Sequence, residues 1–171
     1  MIQDVQNDYS GTRTLSGGTT TVAGQALTVG TTPSTNVIDH SPSLSAQGNH
    51  QNVQIGLGIG MAVVLEVTVA PVTGNSETYT ANFFTSSVAT DTTPGAGTCV
   101  TLATLTISPT AAVGTQYVLM VPASLNFKRF SGVSYTLAVG TATISVLATL
   151  MPVKFIQNTI NYESGWVIQN S

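Results

Sequence analysis

The segment ETYTANFFTSS, residues 77–87, alternates apolar and polar side chains through its first half. On an extended chain Tyr79, Ala81 and Phe83 share one face, while the intervening Thr and Asn residues share the other. A period of two is expected of a strand with one face buried and one face wet. The segment therefore predicts a β-strand that contributes its aromatic face to the core of a sheet.

The same period recurs in TATISVLATLM, residues 141–151, and other short runs rich in β-branched residues lie between turns of Pro, Gly, Asn and Ser. No segment has the i, i+3, i+4 apolar spacing of an amphipathic helix. The predicted strands are 25–30, 35–39, 61–70, 77–87, 99–107, 116–122, 133–140 and 141–151. About eight strands predict an all-β fold, a single jelly-roll-like β-sandwich, with a Greek-key immunoglobulin-like sandwich as the alternative.

The two ends of the chain differ from this strand-rich middle. Residues 1–20 are polar and show no clear period, which predicts an extended N-terminal arm. Residues 21–152 are expected to form the sandwich domain, and residues 153–171 a C-terminal tail. A length of 171 residues suits one domain.

The charged fraction is unusually low. Asp, Glu, Lys and Arg make up 6% of the chain, whereas soluble domains usually carry about 25%. Four Lys and Arg residues cannot neutralise a run of phosphates, so no nucleic-acid partner is expected. A surface this poor in charge suits either an adhesive or sugar-binding extracellular domain, or a subunit that neighbours cover in an assembly. The single cysteine, Cys99, excludes an internal disulfide framework and favours the assembly.

No membrane partner is expected either. The most apolar stretch, residues 55–70, is shorter than the roughly 20 residues of a spanning helix and contains Glu66. Its β-branched residues predict a Gly-rich approach followed by a buried strand. The N-terminal residues MIQDVQNDYSG also lack the basic start and apolar run of a signal peptide.

Asp39 and His40 place an acid beside an imidazole, the first candidate for chemistry. Consecutive strand residues point to opposite faces, so neither side chain is placed to orient the other as a catalytic dyad requires. We interpret the pair as a strand end, with Asp39 bonded to nearby backbone N–H groups at the following turn.

No other motif indicates an enzyme, a cofactor or a metal site. His40, His50 and Cys99 lack the spacing of metal ligands. GLGIG, residues 56–60, precedes a strand and is neither a dinucleotide fingerprint nor a phosphate loop with Lys and Ser or Thr. Cys99 has no basic neighbour in sequence and is expected to act as a small buried apolar residue.

Cationic and aromatic side chains outside the strands are candidates for a protein interface, where Tyr, Trp and Arg are favoured anchors. The aromatic residues of the tail could instead stack on a sugar or plug the core. Lys128 and Arg129 lie together in the loop LNFKRFSG. They either meet an acidic patch on a partner or form a solubilising turn. The expected interface residues, from residue type and placement, are Tyr9, Lys128, Arg129, Phe155, Tyr162 and Trp166.

Three segments occur in a recognisable order: STNVIDHS (34–41), MAVVLEVTVA (61–70) and KRFSGVSYTLAVGTATISVLATL (128–150). Together they resemble the capsid cement proteins of tailed bacteriophages, the family typified by the Bordetella phage cement protein. The resemblance covers most of residues 25–151. The chain departs from the family pattern at His40, where Leu is common, and in its long arm and tail.

This resemblance implies a structural virion protein, a jelly-roll subunit on the outside of an icosahedral head that bridges major capsid subunits after assembly in the bacterial cytoplasm. It also implies a homo-oligomer, with a dimer favoured over a trimer. The alternative is a carbohydrate-binding β-sandwich of a phage fibre or secreted enzyme. That alternative needs exposed aromatic rings, and aromatic residues make up only 6% of the chain.

Overall fold

The computed structural model describes residues 8–16, 19–40, 60–72, 74, 76–121 and 128–156. Within these ranges the chain forms short and long strands and one short helix. The elements are β1 (Asp8–Ser10), β2 (Thr12–Ser16), β3 (Thr19–Ala23), β4 (Gln25–Thr28), β5 (Gly30–Pro33), β6 (Ile38–Asp39), β7 (Met61–Val69), β8 (Thr78–Ser86), β9 (Val100–Ile107), β10 (Gln116–Met120), β11 (Phe130–Ala138), β12 (Thr143–Pro152) and α1 (Val153–Ile156).

Ten of these strands form two antiparallel sheets. The first sheet, sheet A, has the order β1–β12–β7–β10, and β4 pairs with β12 beyond β1 along the same edge. The second sheet, sheet B, has the order β5–β11–β8–β9, with β6 also pairing with β11. The remaining pair, β2 and β3, forms a separate hairpin.

The nested pairing of the main strands makes this fold a jelly roll. The two sheets contain eight main strands when β5 and β6 are taken as one interrupted strand and the count starts at β4. The first of them, β4, pairs with the eighth, β12. The second, β5 with β6, pairs with the seventh, β11. The third pairs with the sixth, β7 with β10, and the fourth with the fifth, β8 with β9. These nested pairs amount to one long hairpin of eight strands. The hairpin folds over on itself into two sheets because β12 also pairs with β7 and β11 also pairs with β8. The predicted all-β jelly-roll sandwich is confirmed.

The core lies between the two sheets and follows the period-two pattern. Tyr79, Ala81 and Phe83 of β8 are fully buried and belong to it, as the alternation in residues 77–87 predicts. The outer face of β7 is also covered at one end, where Ala62 and Val64 pack with Ile156 of α1. Residues 153–156 of the predicted tail therefore belong to the folded domain.

Within the predicted arm, β1 joins sheet A and β2 pairs with β3 in the separate hairpin, so the expectation of an extended arm is wrong for the described residues 8–16 and 19–20. Strand β1 pairs with β12 at the edge of sheet A. The backbone N–H of Asn36 donates to the carbonyl of Tyr9 over 2.8 Å, and the Asn36 side chain donates to the carbonyl of Asp8 over 3.1 Å. The buried Tyr9 ring packs edge-on against Phe83, with centroids 6.1 Å apart.

Polar contacts continue this attachment on the outer face of β12. The Thr149 hydroxyl donates to the buried Asp8 carboxylate over 2.5 Å, and Arg13 of β2 donates to the Thr149 hydroxyl over 3.2 Å. Polar groups buried in this way require partners, and these partners are more than 100 positions away in sequence. No local period could therefore reveal them.

Two further differences lie at strand boundaries. Residues 31–33, which lie between the predicted strands 25–30 and 35–39, form most of β5, an edge strand. Pro33 is tolerated there because its missing N–H faces away from the ladder. Strand β11 begins at Phe130, three positions before the predicted start, because it pairs there with Asp39 and Ser86.

Candidate functional site

The acidic residue of the Asp39–His40 pair forms an ion pair with Arg129. Asp39 ends β6 opposite Phe130 of β11. Arg129 Nε donates to Asp39 Oδ1 over 3.0 Å and Arg129 Nη2 donates to Oδ2 over 2.8 Å. These hydrogen bonds raise the pKa of Arg129, and its guanidinium also lies 4.8 Å from the centroid of the Phe130 ring. The following turn, to whose backbone Asp39 was expected to bond, lies outside the described residues.

The imidazole of His40 points elsewhere, toward the interior. Its Nε2 lies 2.6 Å from the hydroxyl of Ser131, and the same hydroxyl lies 2.6 Å from the phenol oxygen of Tyr9. Burial lowers the pKa of His40 to about 4, and the nearby Asp39 carboxylate opposes this shift. His40 is therefore neutral at pH 7 and takes part in a hydrogen-bond chain that joins three distant segments.

A serine hydroxyl bonded to an imidazole is also the start of a nucleophile–base pair, but the surroundings argue for a structural role. Ser131 is fully buried, and its hydroxyl is shared with Tyr9, which is itself fully buried. A nucleophile needs open space for the reacting atom beside it. Burial also raises the pKa of Tyr9 far above its ordinary range. The chain His40–Ser131–Tyr9 is suited to holding β1 against sheet B.

Lys128 does not join Arg129 in a positive patch. Its Nζ donates to the backbone carbonyl of Thr98 in the β8–β9 loop, and its backbone N–H donates to the Thr85 hydroxyl over 2.7 Å. Cys99, beside that loop, is buried as expected, and burial raises the pKa of its thiol. Lys128 lies close enough to oppose this shift, so the basic neighbour that Cys99 lacks in sequence is supplied by the fold.

The opposite end of the sandwich exposes a group of valines that the sequence analysis missed. They occupy or border the turns that cross between the sheets: β4–β5, β7–β8, β9–β10 and β11–β12. We call this group the valine end; its members are Val29, Val69, Val72, Val113 and Val139, each 40% to 64% exposed.

A family model for Bbp16 matches residues 21–150, which is most of the chain. The chain belongs to the Bbp16 family. Bbp16 is a family of Bordetella phage proteins, so this chain is a phage-related protein. No curated protein matches the chain closely enough to count as a relative.

The Bbp16 match separates the predicted interface residues into two groups. Lys128 and Arg129 lie inside it; Lys128 is half-buried, whereas 55% of the Arg129 side chain is exposed. Tyr9 lies before the match and is fully buried, so it is wrong as a surface anchor: its ring fills the core and its hydroxyl bonds Ser131. The backbone of Phe155 lies in α1, whereas its side chain, Tyr162 and Trp166 lie outside the described residues.

The described residues contain neither a metal-ligand cluster nor a membrane-spanning helix. Among the described residues, no three His, Cys, Asp or Glu side chains come together as metal ligands would. His50 and the segment 56–60 lie outside those residues, apart from Gly60. None of the helical structure in the described ranges has the length and hydrophobicity to cross a bilayer.

A sequence signal for the valine end does exist. Three of its valines directly precede a glycine, in the dipeptides Val29–Gly30, Val113–Gly114 and Val139–Gly140. Each of these glycines has a positive φ, between 60° and 116°, as turns commonly require of glycine. A repeated Val-Gly turn is visible in the sequence, but only the fold shows that the copies meet at one end.

Proposed function

We propose that this protein is a capsid cement, or decoration, protein that binds the outside of an icosahedral phage head and bridges neighbouring major capsid subunits. The observation that carries the proposal is membership of a phage protein family over residues 21–150. A jelly roll presents two sheet faces and two sets of turns to neighbours, which suits a bridging role.

The distribution of charge supports this proposal. The few ionised groups of the described residues are largely withdrawn from solvent: Asp8 and Glu77 are buried, and Lys128 bonds the Thr98 carbonyl. Asp39 and Arg129, which are exposed, neutralise each other. A freely soluble surface relies on interspersed charges. An exterior this neutral is expected of a subunit whose neighbours cover part of it.

The proposed mechanism is thermodynamic. A protein that binds the assembled lattice but not free capsid subunits stabilises the lattice by mass action, by about 2.7 kcal/mol per site at a hundredfold excess over Kd. Linked copies engage several subunits, which raises the overall avidity above that of each contact. We propose a homodimer as the bridging unit, and sedimentation equilibrium of the purified chain measures its mass directly.

The test mixes the purified full-length chain with heads of the same phage that were assembled without it. We expect saturable co-sedimentation, extra density on the outside of the heads in electron cryomicroscopy, and a higher disruption temperature of decorated heads. Absence of saturable binding at micromolar concentration would contradict the proposal.

A truncation tests whether the C-terminal tail contributes. It should remove residues 157–171 and keep α1, because Ile156 covers Ala62 and Val64 and its loss would expose the sheet. Unchanged occupancy of the heads by the truncated chain would remove the segment containing Tyr162 and Trp166 from the proposed interface.

The carbohydrate-binding alternative is less well supported. Sugar sites use exposed aromatic faces, and among the described residues the large exposed apolar side chains are valines and Met120. Binding to a glycan array, together with failure to bind heads, would favour that alternative.

A further inference from the structure

The four turns at the valine end lie side by side in the order of the strands. Across the sandwich the order is β4–β5, β11–β12, β7–β8 and β9–β10, because sheet A and sheet B have matching strand orders. Neighbouring strands are about 4.8 Å apart, so four turns span roughly 15 Å. Each turn exposes at least one valine, which places Val29, Val139, Val72 and Val113 in a row along this end of the sandwich.

Val139 has a backbone conformation that lowers the stability of the fold. Its φ is 70°, and 50% of its side chain is exposed. Positive φ is unfavourable for a β-branched residue, whereas Gly or Asn adopts it more readily. Because half of the side chain is exposed, its burial in the folded chain offsets little of this conformational cost. Folding alone therefore favours another residue here, and strained residues of this kind occur preferentially at functional sites.

Hydrogen bonds tie two of the four turns to the sandwich. The Tyr79 hydroxyl donates to the Val72 carbonyl over 2.6 Å, and the Val72 N–H donates to the Thr143 carbonyl over 3.1 Å. The Gly114 N–H donates to the Val67 carbonyl over 2.8 Å, which ties the β9–β10 turn to β7. A surface ordered before binding loses little conformational entropy when a partner arrives.

Charge indicates the chemistry of that partner. The cations whose side chains the structure describes lie elsewhere, since Arg13 contacts Thr149 and both Lys128 and Arg129 precede β11 at the opposite end. The acidic residues closest to the row are Glu77, which is buried, and Glu66, which accepts a hydrogen bond from Gln116 over 3.3 Å. Nucleic acid, lipid phosphates and acidic peptides find no counter-charge in these residues.

We infer that the valine end is the surface that docks on the phage shell, and that its partner is an apolar, non-acidic patch of a shell protein. The inference rests on the proposed function and specifies the surface and the contact chemistry. Valine side chains at the centre of such a contact lose water on binding, which provides the driving force. The strain at Val139 is retained because its side chain contributes to the docked state.

A matched pair of triple variants tests the inference. The test variant replaces valines of the row: Val29→Ser, Val113→Ser and Val139→Asn. The control variant replaces valines elsewhere that are 39% to 45% exposed: Val22→Ser, Val88→Ser and Val100→Ser. Both are assayed by co-sedimentation with undecorated heads, and thermal unfolding and sedimentation equilibrium confirm that fold and oligomeric mass match those of the unchanged chain.

We expect the test variant to bind heads about tenfold more weakly or worse, and the control to bind within about twofold of the unchanged chain. Equal binding by the test variant overturns the inference and leaves the proposed function intact. Failure of the unchanged chain to bind heads overturns both. A loss of oligomeric mass in the test variant assigns the row to a second copy of the chain and overturns the shell contact.

The single variant Val139→Gly separates docking from folding. Gly relieves the positive φ, so the unfolding temperature should stay the same or rise while binding to heads weakens. A lower unfolding temperature with unchanged binding would show that Val139 serves the fold, which contradicts the inference.

Discussion

Replacement of Tyr9 by Ala tests whether the N-terminal strand is part of the core. The Tyr9 side chain is fully buried, packs edge-on against Phe83, and places its hydroxyl 2.6 Å from that of Ser131. Truncation to Ala leaves a cavity between the sheets and removes one hydrogen-bond partner of Ser131. If residues 1–20 were a detachable arm, the same change would have almost no effect on stability.

The expected loss follows from the burial. Removal of a buried aromatic ring costs about 3–5 kcal/mol in the free energy of unfolding. For a domain of this size each kcal/mol shifts Tm by about 2–4 °C, so Tm should fall by about 6–20 °C. Tyr9→Phe keeps the ring and removes only the hydroxyl. Its cost should be about 0.5–1.5 kcal/mol, because Ser131 retains the contact with His40.

The assay is urea unfolding followed by circular dichroism, with thermal unfolding of the same samples. The control is Thr12→Ala, which alters an exposed residue of the neighbouring strand β2 and should change stability by a few tenths of a kcal/mol. A Tyr9→Ala variant within about 0.5 kcal/mol of the unchanged chain would refute the placement of β1 in the sandwich.

Three further predictions concern β11 and its neighbours. A Cβ at Gly132 would lie 2.5 Å from Cζ of the buried Phe84, so Gly132→Ala should cost about 1–3 kcal/mol in urea unfolding and much less in a Phe84→Leu background; stabilisation would contradict it. Arg129→Ala breaks an exposed pair with Asp39, so Tm should barely change, whereas a large drop would mean that the pair is structural. The pKa of His40 falls from 6.5 to about 4, so the unfolded chain binds more protons in that window and stability should drop as pH falls through it. We expect about 1–2 kcal/mol, reduced because His40 is partly exposed, and His40→Gln should remove that part of the slope; identical pH profiles would contradict it.

Much of the fold was predictable because the buried pattern of a sandwich is local. The alternation in residues 77–87 predicted β8 and the face it buries, and strand β12 was predicted within two residues at its start and one at its end. Strand β1 was missed because a three-residue strand has no period to detect, and its attachment depends on Tyr9 and Asp8 meeting Ser131 and Thr149.

The candidate site was less predictable. Arg129 and Lys128 are adjacent in sequence, yet one lies on the surface beside Asp39 and the other bonds the Thr98 carbonyl. Their environments differ because the fold brings the end of β6 beside Arg129 and the β8–β9 loop beside Lys128, and both of these segments are distant in sequence. The Val-Gly dipeptides were visible as turns, but nothing in the sequence places the turns side by side.

The amino-acid sequence by itself determined the class of the fold, the positions of most strands, the faces that they bury and the scarcity of charge. Only the tertiary structure decided that Tyr9 belongs to the core, that Ser131 is the partner of His40, and that the exposed valines form one row. The physical reason is that period and composition are properties of neighbouring residues, whereas a side chain's partner is set by how the nested strands roll up and which distant segments they bring together.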